Sequence, residues 1–409
     1  MAWNLLPTMG HTPMRQKLKV AVFNTQPPHL YFGGVERRII EVAKRLVNDI
    51  ETTVYSGTKK SFKETTIIDG ITFVPCYSTD RIYPLDNWVF NKSISKMVDT
   101  IDANVYEAHT VSGYKFLKRL RKQKTAKPFI QTVHGVLADE HIQASKSVSP
   151  SLRMKLSNVF MGRLAKIEKD AVKEADLIVT VSQYSRQKLV QLYEVNKAKI
   201  RVVPNGVDTQ RFKPTEDCSG IKDVVGSDNE HAVLFVGNLI PRKGLHYLIE
   251  AAKHVKEEIK ETKFVVVGNG PLKSYLIEYS KEQGVAENFV FLGNVTDDLL
   301  HQLYSCVDVF ASPSIQEGQG ITLLEAQATG KPVVAFNVTA IKEVVKNKET
   351  GLLVEPDSCE LADAILTLLS NQRLREKLGR SGREFVTKTY SWDICAQKMG
   401  QVYSEATKI

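Results

Sequence analysis

The stretch SIQEGQGITLLEAQATGKPVVA, residues 314–335, decides how this chain is read. Two carboxylates, Glu317 and Glu325, stand eight positions apart. The first precedes a Gly-Gln-Gly turn, and the second lies in an apolar run closed by Gly330 and Pro332. The preceding VDVFASPS (307–314) reads as a strand, and a helix is expected from about Gly320. Gly318 and Gly320 remove side chains where a backbone can approach a ligand, and the free amides of a helix start favour an anion. Glu317 is then a loop carboxylate able to bond hydroxyls. Glu325, set among Leu323, Leu324, Ala326 and Ala328, is expected to be buried rather than a casual surface residue. Together the two are expected to grip one polyhydroxylated, phosphate-bearing ligand.

Working outward, short β-branched runs alternate with longer amphipathic segments. KLKVAVFNT (17–25), TTVYS, ITFVP, NVYEAH (104–109), PFIQTVHG (128–135), LIVTVS (177–182) and IRVVPN (200–205) predict strands, and GVERRIIEVAKRLVND (34–49) predicts a helix. The pattern restarts after PNGVDTQRFKP with strands at 232–239, 263–270, 288–295, 307–314 and 331–337, each ending in Gly, Ser or Asn. The expected fold class is α/β, two Rossmann-like doubly wound domains. The division is an extension over 1–16, a first domain over 17–208, a second over 209–390 and a helix over 391–409 belonging to either domain.

Composition is that of a globular chain: 409 residues, 43% hydrophobic and 25% charged, with no apolar run approaching a membrane span. The N-terminal MAWNLLPTMGHTPMRQ lacks a signal-peptide pattern. Five scattered cysteines without a CxxC pair predict a reduced, cytoplasmic protein without structural zinc. The net charge of +9 is uneven: 32 basic against 19 acidic residues through Asp208, and 23 against 27 beyond it. The densest patch, KFLKRLRKQKTAK (115–127), is either a solvated helix face or a surface for an anionic membrane or acceptor. Nucleic acid is not expected as a partner, because no aromatic stacking cluster interleaves the charge.

Three further loops carry chemistry. YFGGVERR (31–38) places Gly33 and Gly34 between the first strand and helix, short of the full GxGxxG fingerprint. GNLIPRKG (237–244) sets Arg242 and Lys243 at a strand's C-terminal edge, where they can oppose a phosphate's charge. QTVHG puts His134 at a strand end beside a glycine, and VYEAHT does the same for His109. HExxH, GxxxxGK[ST], GxSxG and a metal-holding Asp-x-Asp are all absent from the sequence.

EGQGITLLEAQATGKPVVA resembles the E-x7-E signature of retaining GT-B glycosyltransferases of family 4. GGVER, VVPNGVD, GNLIPRKG, VGNGP, FLGNV and ETGLLVEP resemble that family as well, so the resemblance runs from about 17 to 406. It implies two domains facing across a cleft, with the helix over 391–409 crossing back to the first. It also implies a nucleotide-diphosphate sugar as co-substrate, with no cofactor and no metal. Arg242 and Lys243 would hold the diphosphate and stabilise the leaving group, Glu317 the donor sugar and Glu325 the ribose. His134 would contact the transferred sugar. Gly33 and Gly34 would lie under the phosphates, and the backbone of Gly318, Gln319, Gly320 and Ile321 would reach sugar and phosphate. Asn294 and Val295 would meet the base; Gly237, Asn238 and Gly270 complete the donor loops. Gln319 departs from the usual Phe, which puts the donor sugar's surroundings in doubt.

The resulting expectation is a retaining, metal-independent hexosyltransferase, with a UDP-sugar favoured over GDP-mannose. The acceptor is a glycan or lipid-linked molecule held by the basic first domain, with peripheral membrane contact through 115–127. A non-catalytic nucleotide-sugar sensor and an epimerase or phosphorylase on a related scaffold are the rival classes.

Overall fold

The structure, a computed structural model, describes residues 17–31, 33–79, 85–124, 127–146, 152–215, 218–226 and 230–409. The extension expected over 1–16 lies outside them. β1 (Leu18–Asn24), β2 (Ile50–Gly57), β3 (Thr66–Ile68), β4 (Ile71–Cys76), β5 (Val105–His109), β6 (Phe129–Val133), β7 (Leu177–Thr180) and β8 (Ile200–Val202) form one sheet, ordered β3-β4-β2-β1-β5-β6-β7-β8. β9 (His231–Val236), β10 (Thr262–Val267), β11 (Phe289–Gly293), β12 (Val309–Ser312), β13 (Val333–Phe336) and β14 (Gly351–Val354) form the second, ordered β11-β10-β9-β12-β13-β14. Every neighbouring pair runs parallel except β3 with β4. Both sheets are those of Rossmann-like domains.

Parallel strands buried on both faces need apolar side chains on both, and the sequence supplies them. β5, β6 and β7 are buried at every residue. One face of the first sheet packs on Ile39, Val42 and Ala43 of helix Gly34–Leu46 and on Trp392, Met399, Val402 and Tyr403 of helix Trp392–Ala406. The other packs on Phe90, Ile94, Phe116, Leu117 and Leu120. Helix Trp392–Ala406 therefore lies on the first sheet. The chain crosses between the two sheets at adjacent points. Val207 N–H donates to the Tyr390 carbonyl at 2.7 Å, and a Cβ on Gly206 would stand 2.4 Å from the Trp392 nitrogen.

In each sheet the strand order reverses once, beside β1 in the first and between β9 and β12 in the second. Crevices open at such reversals, outside the carboxyl ends of the strands. The loops after β1, β9 and β12 are those that carry Gly33, Lys243 and Glu317.

The cysteines correct the expectation of a fully reduced chain. Cys218 and Cys306 form a disulfide across 88 residues, with Cα atoms 5.7 Å apart. It ties the segment following the inter-sheet crossing to helix Asp297–Cys306; Cys76 and Cys395 are buried thiols and Cys359 is exposed. Among the described residues, no helix is long and apolar enough to cross a membrane.

Helix Leu137–Lys146, which follows His134, is fixed by a buried acid on the neighbouring helix Leu152–Glu174. Glu168 Oε2 accepts from Leu137 N–H at 2.9 Å and from the Tyr193 hydroxyl at 2.7 Å. Burial pushes the Glu168 carboxyl up to about 8 from an ordinary 4.5. The unfolded chain loses this proton near 4.5 while the folded chain keeps it to about 8. Between those values the folded state binds more protons, so this group makes stability fall as pH rises. Glu168→Gln is expected to flatten the Tm profile between pH 5 and 8. At pH 8 it should raise stability by on the order of 3 kcal/mol over the parent. A variant profile that runs parallel to the parent's would assign the pH dependence to other groups.

Candidate functional site

The starts of two helices face each other across the cleft. A Cβ on Gly34, the first residue of helix Gly34–Leu46, would stand 3.1 Å from Ile321 Cδ1, at the start of helix Ile321–Ala328. Gly320 caps that second helix at φ +90°, a left-handed conformation that glycine adopts without a Cβ penalty. Between the two lies a cleft of about 780 Å³, lined by Gly33, Gly34, Gly237, Asn238, Asn294, Val295, Ile321 and Glu325. The structure thus gathers residues from five separate sequence motifs. Among those it adds beyond the sequence reading are the polar residues Tyr31, Arg37, Lys60 and Asp297.

Glu325 is buried on the inner face of its helix. Its Oε1 accepts from Arg37 at 2.6 Å and its Oε2 from the Tyr304 hydroxyl at 2.9 Å. Burial raises this carboxyl above its ordinary value, with Arg37 and the Tyr304 hydroxyl pulling the other way. Arg37 also lies 3.7 Å from Asp297, which Arg211 approaches to 2.7 Å. Glu325 is therefore one member of a charged group spanning both domains.

A second cluster stands on the loops after β9 and β12. Lys243 Nζ forms an ion pair with Glu317 Oε1, and Arg242 lies 3.7 Å from Glu317 Oε2 while donating to the Gln316 carbonyl at 3.1 Å. The Glu317 amide donates to Thr339 Oγ1 at 3.1 Å. Burial alone would raise the Glu317 carboxyl; Lys243 and Arg242 override it and hold the group below its ordinary value. Gly244, at φ +64°, ends this loop where a Cβ would stand 2.0 Å from the Pro313 carbonyl. The two cation-bearing and carboxylate-bearing loops touch there.

The first domain meets this cluster through His134: a Cβ on Gly318 would be 2.2 Å from the His134 carbonyl oxygen. Only a glycine permits that approach. Glu140, also missed by sequence reasoning, is a further carboxyl here, beside Asp139. A Cβ on Gly135 would stand 2.4 Å from its Oε1, and burial raises its pKa against the pull of Arg242.

Eight sequence-predicted residues sit outside the cleft's lining: His134, Arg242, Lys243, Glu317 and Gly318, which form the cluster just described, and Gly270, Gln319 and Gly320. Gly270 packs against the Leu239 backbone, where a Cβ would stand 2.4 Å from the carbonyl, and Gly320 works as the helix cap. Gln319 is the informative one. Its side-chain oxygen accepts from Asn205 N–H at 2.7 Å and its amide donates to the Asn205 carbonyl at 3.0 Å. Asn205 Oδ1 in turn accepts from Arg38 at 2.9 Å. The Gln319 side chain clamps the glycine turn to the first domain.

Two family models match consecutive parts of the chain: "Glycosyltransferase Family 4" over residues 32–211 and "Glycosyl transferases group 1" over residues 221–385. The chain belongs to glycosyltransferase family 4. A GDP-mannose-dependent alpha-(1-6)-phosphatidylinositol monomannoside mannosyltransferase from Mycobacterium tuberculosis is 33% identical over 233 residues, covering 55% of this chain and 60% of that protein. The matched part thus spans about 60% of the length of that curated relative, short of two thirds. In fold, this family 4 member is similar to sucrose-phosphate synthase from Thermosynechococcus elongatus (TM-score 0.82, 20% identity, 95% of this chain and 99% of that one). It is also similar to the Anabaena protein HepE solved with UDP and glucose (TM-score 0.77, 21% identity, 95% and 100%). The fold is GT-B.

Proposed function

We propose that this family 4 protein transfers a hexose from a nucleotide-diphosphate sugar to a glycan or lipid-linked acceptor, with retention of anomeric configuration and without a resident metal. The observation that carries this reading is the Arg242–Lys243–Glu317 cluster, which abuts His134 through Gly318 and sets the Lys243 side chain beside Gly237 of the cleft lining. In glycosyl transfer the bond from the anomeric carbon to the β-phosphate oxygen breaks, leaving negative charge on the diphosphate. In this reading two fixed cations, and the helix-start amides at Gly34 and Ile321, would stabilise that charge. The acceptor oxygen then bonds the same face of the anomeric carbon, and its proton passes to the departing phosphate. Arg242 and Lys243 thereby fill the role that a divalent ion plays elsewhere.

UDP-sugars are the favoured donors, in keeping with the UDP complex of the HepE neighbour; the mycobacterial relative's GDP-mannose is the rival. A thermal-shift screen of UDP- and GDP-sugars tests this, followed by NMR of the product's anomeric proton and an assay in EDTA. UDP-sugars should give the larger shift, with product of unchanged configuration in chelator. No shift with any nucleotide sugar would sink the reading.

The acceptor side narrows within 115–127. Lys118, Arg119, Arg121 and Lys127 have carboxylate partners in Asp170, Asp99, Asp176 and Asp102, at 2.5–3.4 Å. Exposed pairs of this kind leave little free charge to the surface. Lys115 instead lies 4.5 Å from the Trp88 ring centroid, with Lys92 at 5.5 Å on the same ring. Peripheral binding to an anionic membrane would then rest on Trp88, Lys92 and Lys115. In co-sedimentation with phosphatidylglycerol vesicles, Lys92→Ala/Lys115→Ala should weaken binding several-fold more than Lys118→Ala/Arg119→Ala. Salt-insensitive binding, or none, would remove the membrane from the proposal.

A further inference from the structure

β5 carries two polar side chains into an otherwise apolar strand, and both are buried: Glu107 and His109 are 2% exposed. The mechanism above uses neither. Glu107 Oε1 accepts from Thr132 Oγ1 at 2.6 Å, and its Oε2 accepts from the Tyr403 hydroxyl on helix Trp392–Ala406. His109 Nε2 stands 3.4 Å from Glu107 Oε1, and His109 Nδ1 lies 2.8 Å from His134 Nε2. The four side chains form a line from the rear helix, through the sheet, to the strand end that meets Gly318.

Such a line has a direction. Burial raises the Glu107 carboxyl, but Thr132, Tyr403 and Arg38 pull the other way, and both of its oxygens accept from hydroxyls. As an acceptor it faces, at 3.4 Å, the imidazole nitrogen that then carries the proton. His109 is then protonated on Nε2, which leaves its Nδ1 as a lone pair. The nitrogen 2.8 Å away must supply the proton of that bond, so His134 carries its hydrogen on Nε2. In imidazole, the bond made by one nitrogen sets the state of the other. His134 Nδ1 is left as an acceptor with no hydrogen-bond partner among the described residues.

We propose that Glu107 and His109 are positioning residues, which hold His134 as its Nε2–H tautomer and reserve His134 Nδ1 to accept a hydroxyl of the transferred sugar. This rests on the reading of His134 as a sugar contact. The reverse tautomer would present an N–H there, and a sugar hydroxyl would have to turn its own proton away.

The surroundings keep both rings neutral. Burial lowers His109 to about 3 and His134 well below its ordinary value, with Arg38 and, for His134, the facing His109 adding to the effect. The charged and titratable groups in contact or close by are Arg38, Glu107, Tyr403 and Cys395.

The decisive experiment reads the proton directly. Nitrogen-15 NMR of the full-length protein with labelled histidine, assigned with a His134→Ala variant, should show His134 protonated on Nε2 and bare on Nδ1. In His109→Leu, which keeps bulk but offers no acceptor, the His134 signals should become those of mixed tautomers. The same variant should lower kcat roughly tenfold with the donor KM little changed. His109→Gln, whose amide oxygen can accept from His134 Nε2, should restore most of both. A wild-type His134 protonated on Nδ1, or an even mixture, overturns the proposal with no reference to activity. A correct tautomer with unchanged kcat in His109→Leu overturns it as well. Unchanged kinetics in His134→Ala would instead refute His134 as a sugar contact, a failure the tautomer measurement keeps separate.

Discussion

Lys243→Ala is expected to lower kcat by on the order of a hundredfold or more, with Arg242→Ala close behind. Both cations are held before substrate arrives. Lys243 is tied to Glu317, and Arg242 is braced on the Gln316 carbonyl. A preorganised charge needs no rearrangement when the phosphate departs, which is why its removal falls on turnover more than on binding. Lys243→Ala has a second effect, because Glu317 is buried and keeps only Arg242, at 3.7 Å, as counter-charge. The carboxyl that Lys243 and Arg242 now hold low should rise, so the acidic limb of the pH–rate profile should move to higher pH. Lys243→Arg should keep the pH limb and recover part of the rate. Unchanged kcat in Lys243→Ala and Arg242→Ala, measured as single turnovers at saturating donor, would remove both residues from the mechanism.

Glu325→Gln should raise the donor KM by roughly ten- to a hundredfold with a smaller loss of kcat. That is the size expected when a charge-assisted hydrogen bond to a ligand is replaced by a neutral one. The variant is isosteric, so the Tyr304 hydroxyl can still donate to the amide oxygen, and the helix should keep its packing. Arg37 complicates the reading usefully: it holds Glu325 at 2.6 Å from the opposite domain. Removing Arg37 alone leaves a buried carboxylate short of counter-charge, which costs more than losing the pair. A double-mutant cycle on Arg37 and Glu325, read as donor affinity, should therefore show strong coupling. Additive effects would mean that the ion pair plays no part in donor binding, and an unaltered KM in Glu325→Gln would remove the ribose contact.

The sequence made the glycine turn legible because its requirements are local. A left-handed residue at 320 and a strand ending just before Glu317 need only their neighbours. The parallel sheets were legible for the same reason, through runs of β-branched residues. β14 was not read as a strand, since Gly351–Val354 is four residues long and follows a turn without alternation. The partners of Glu325 were out of reach, because Arg37 lies 288 residues away and Tyr304 on a different helix. His109 was read as a strand-end histidine, but its partner Glu107 gave no signal: β5 is buried at every position, so a period of two distinguishes no face. The disulfide joins cysteines 88 residues apart without a motif, and only the fold brings them together. Gln319 was read as a change around the sugar, whereas its side chain finds its partners in the Asn205 backbone, a contact no spacing rule anticipates.

Helix Trp392–Ala406 completes the hydrophobic face over β1, β2 and helix Gly34–Leu46, although more than half of the chain separates it from them. On the ribosome, the sheet made first must therefore wait for a helix made long after it, while the second sheet's strands and covering helices emerge as one continuous block. Until that helix arrives, the part of this face that Trp392, Met399, Val402 and Tyr403 cover stays open. A nascent chain stopped before Trp392 would hold a finished second domain beside a first domain with an open apolar wall, a natural docking point for a chaperone.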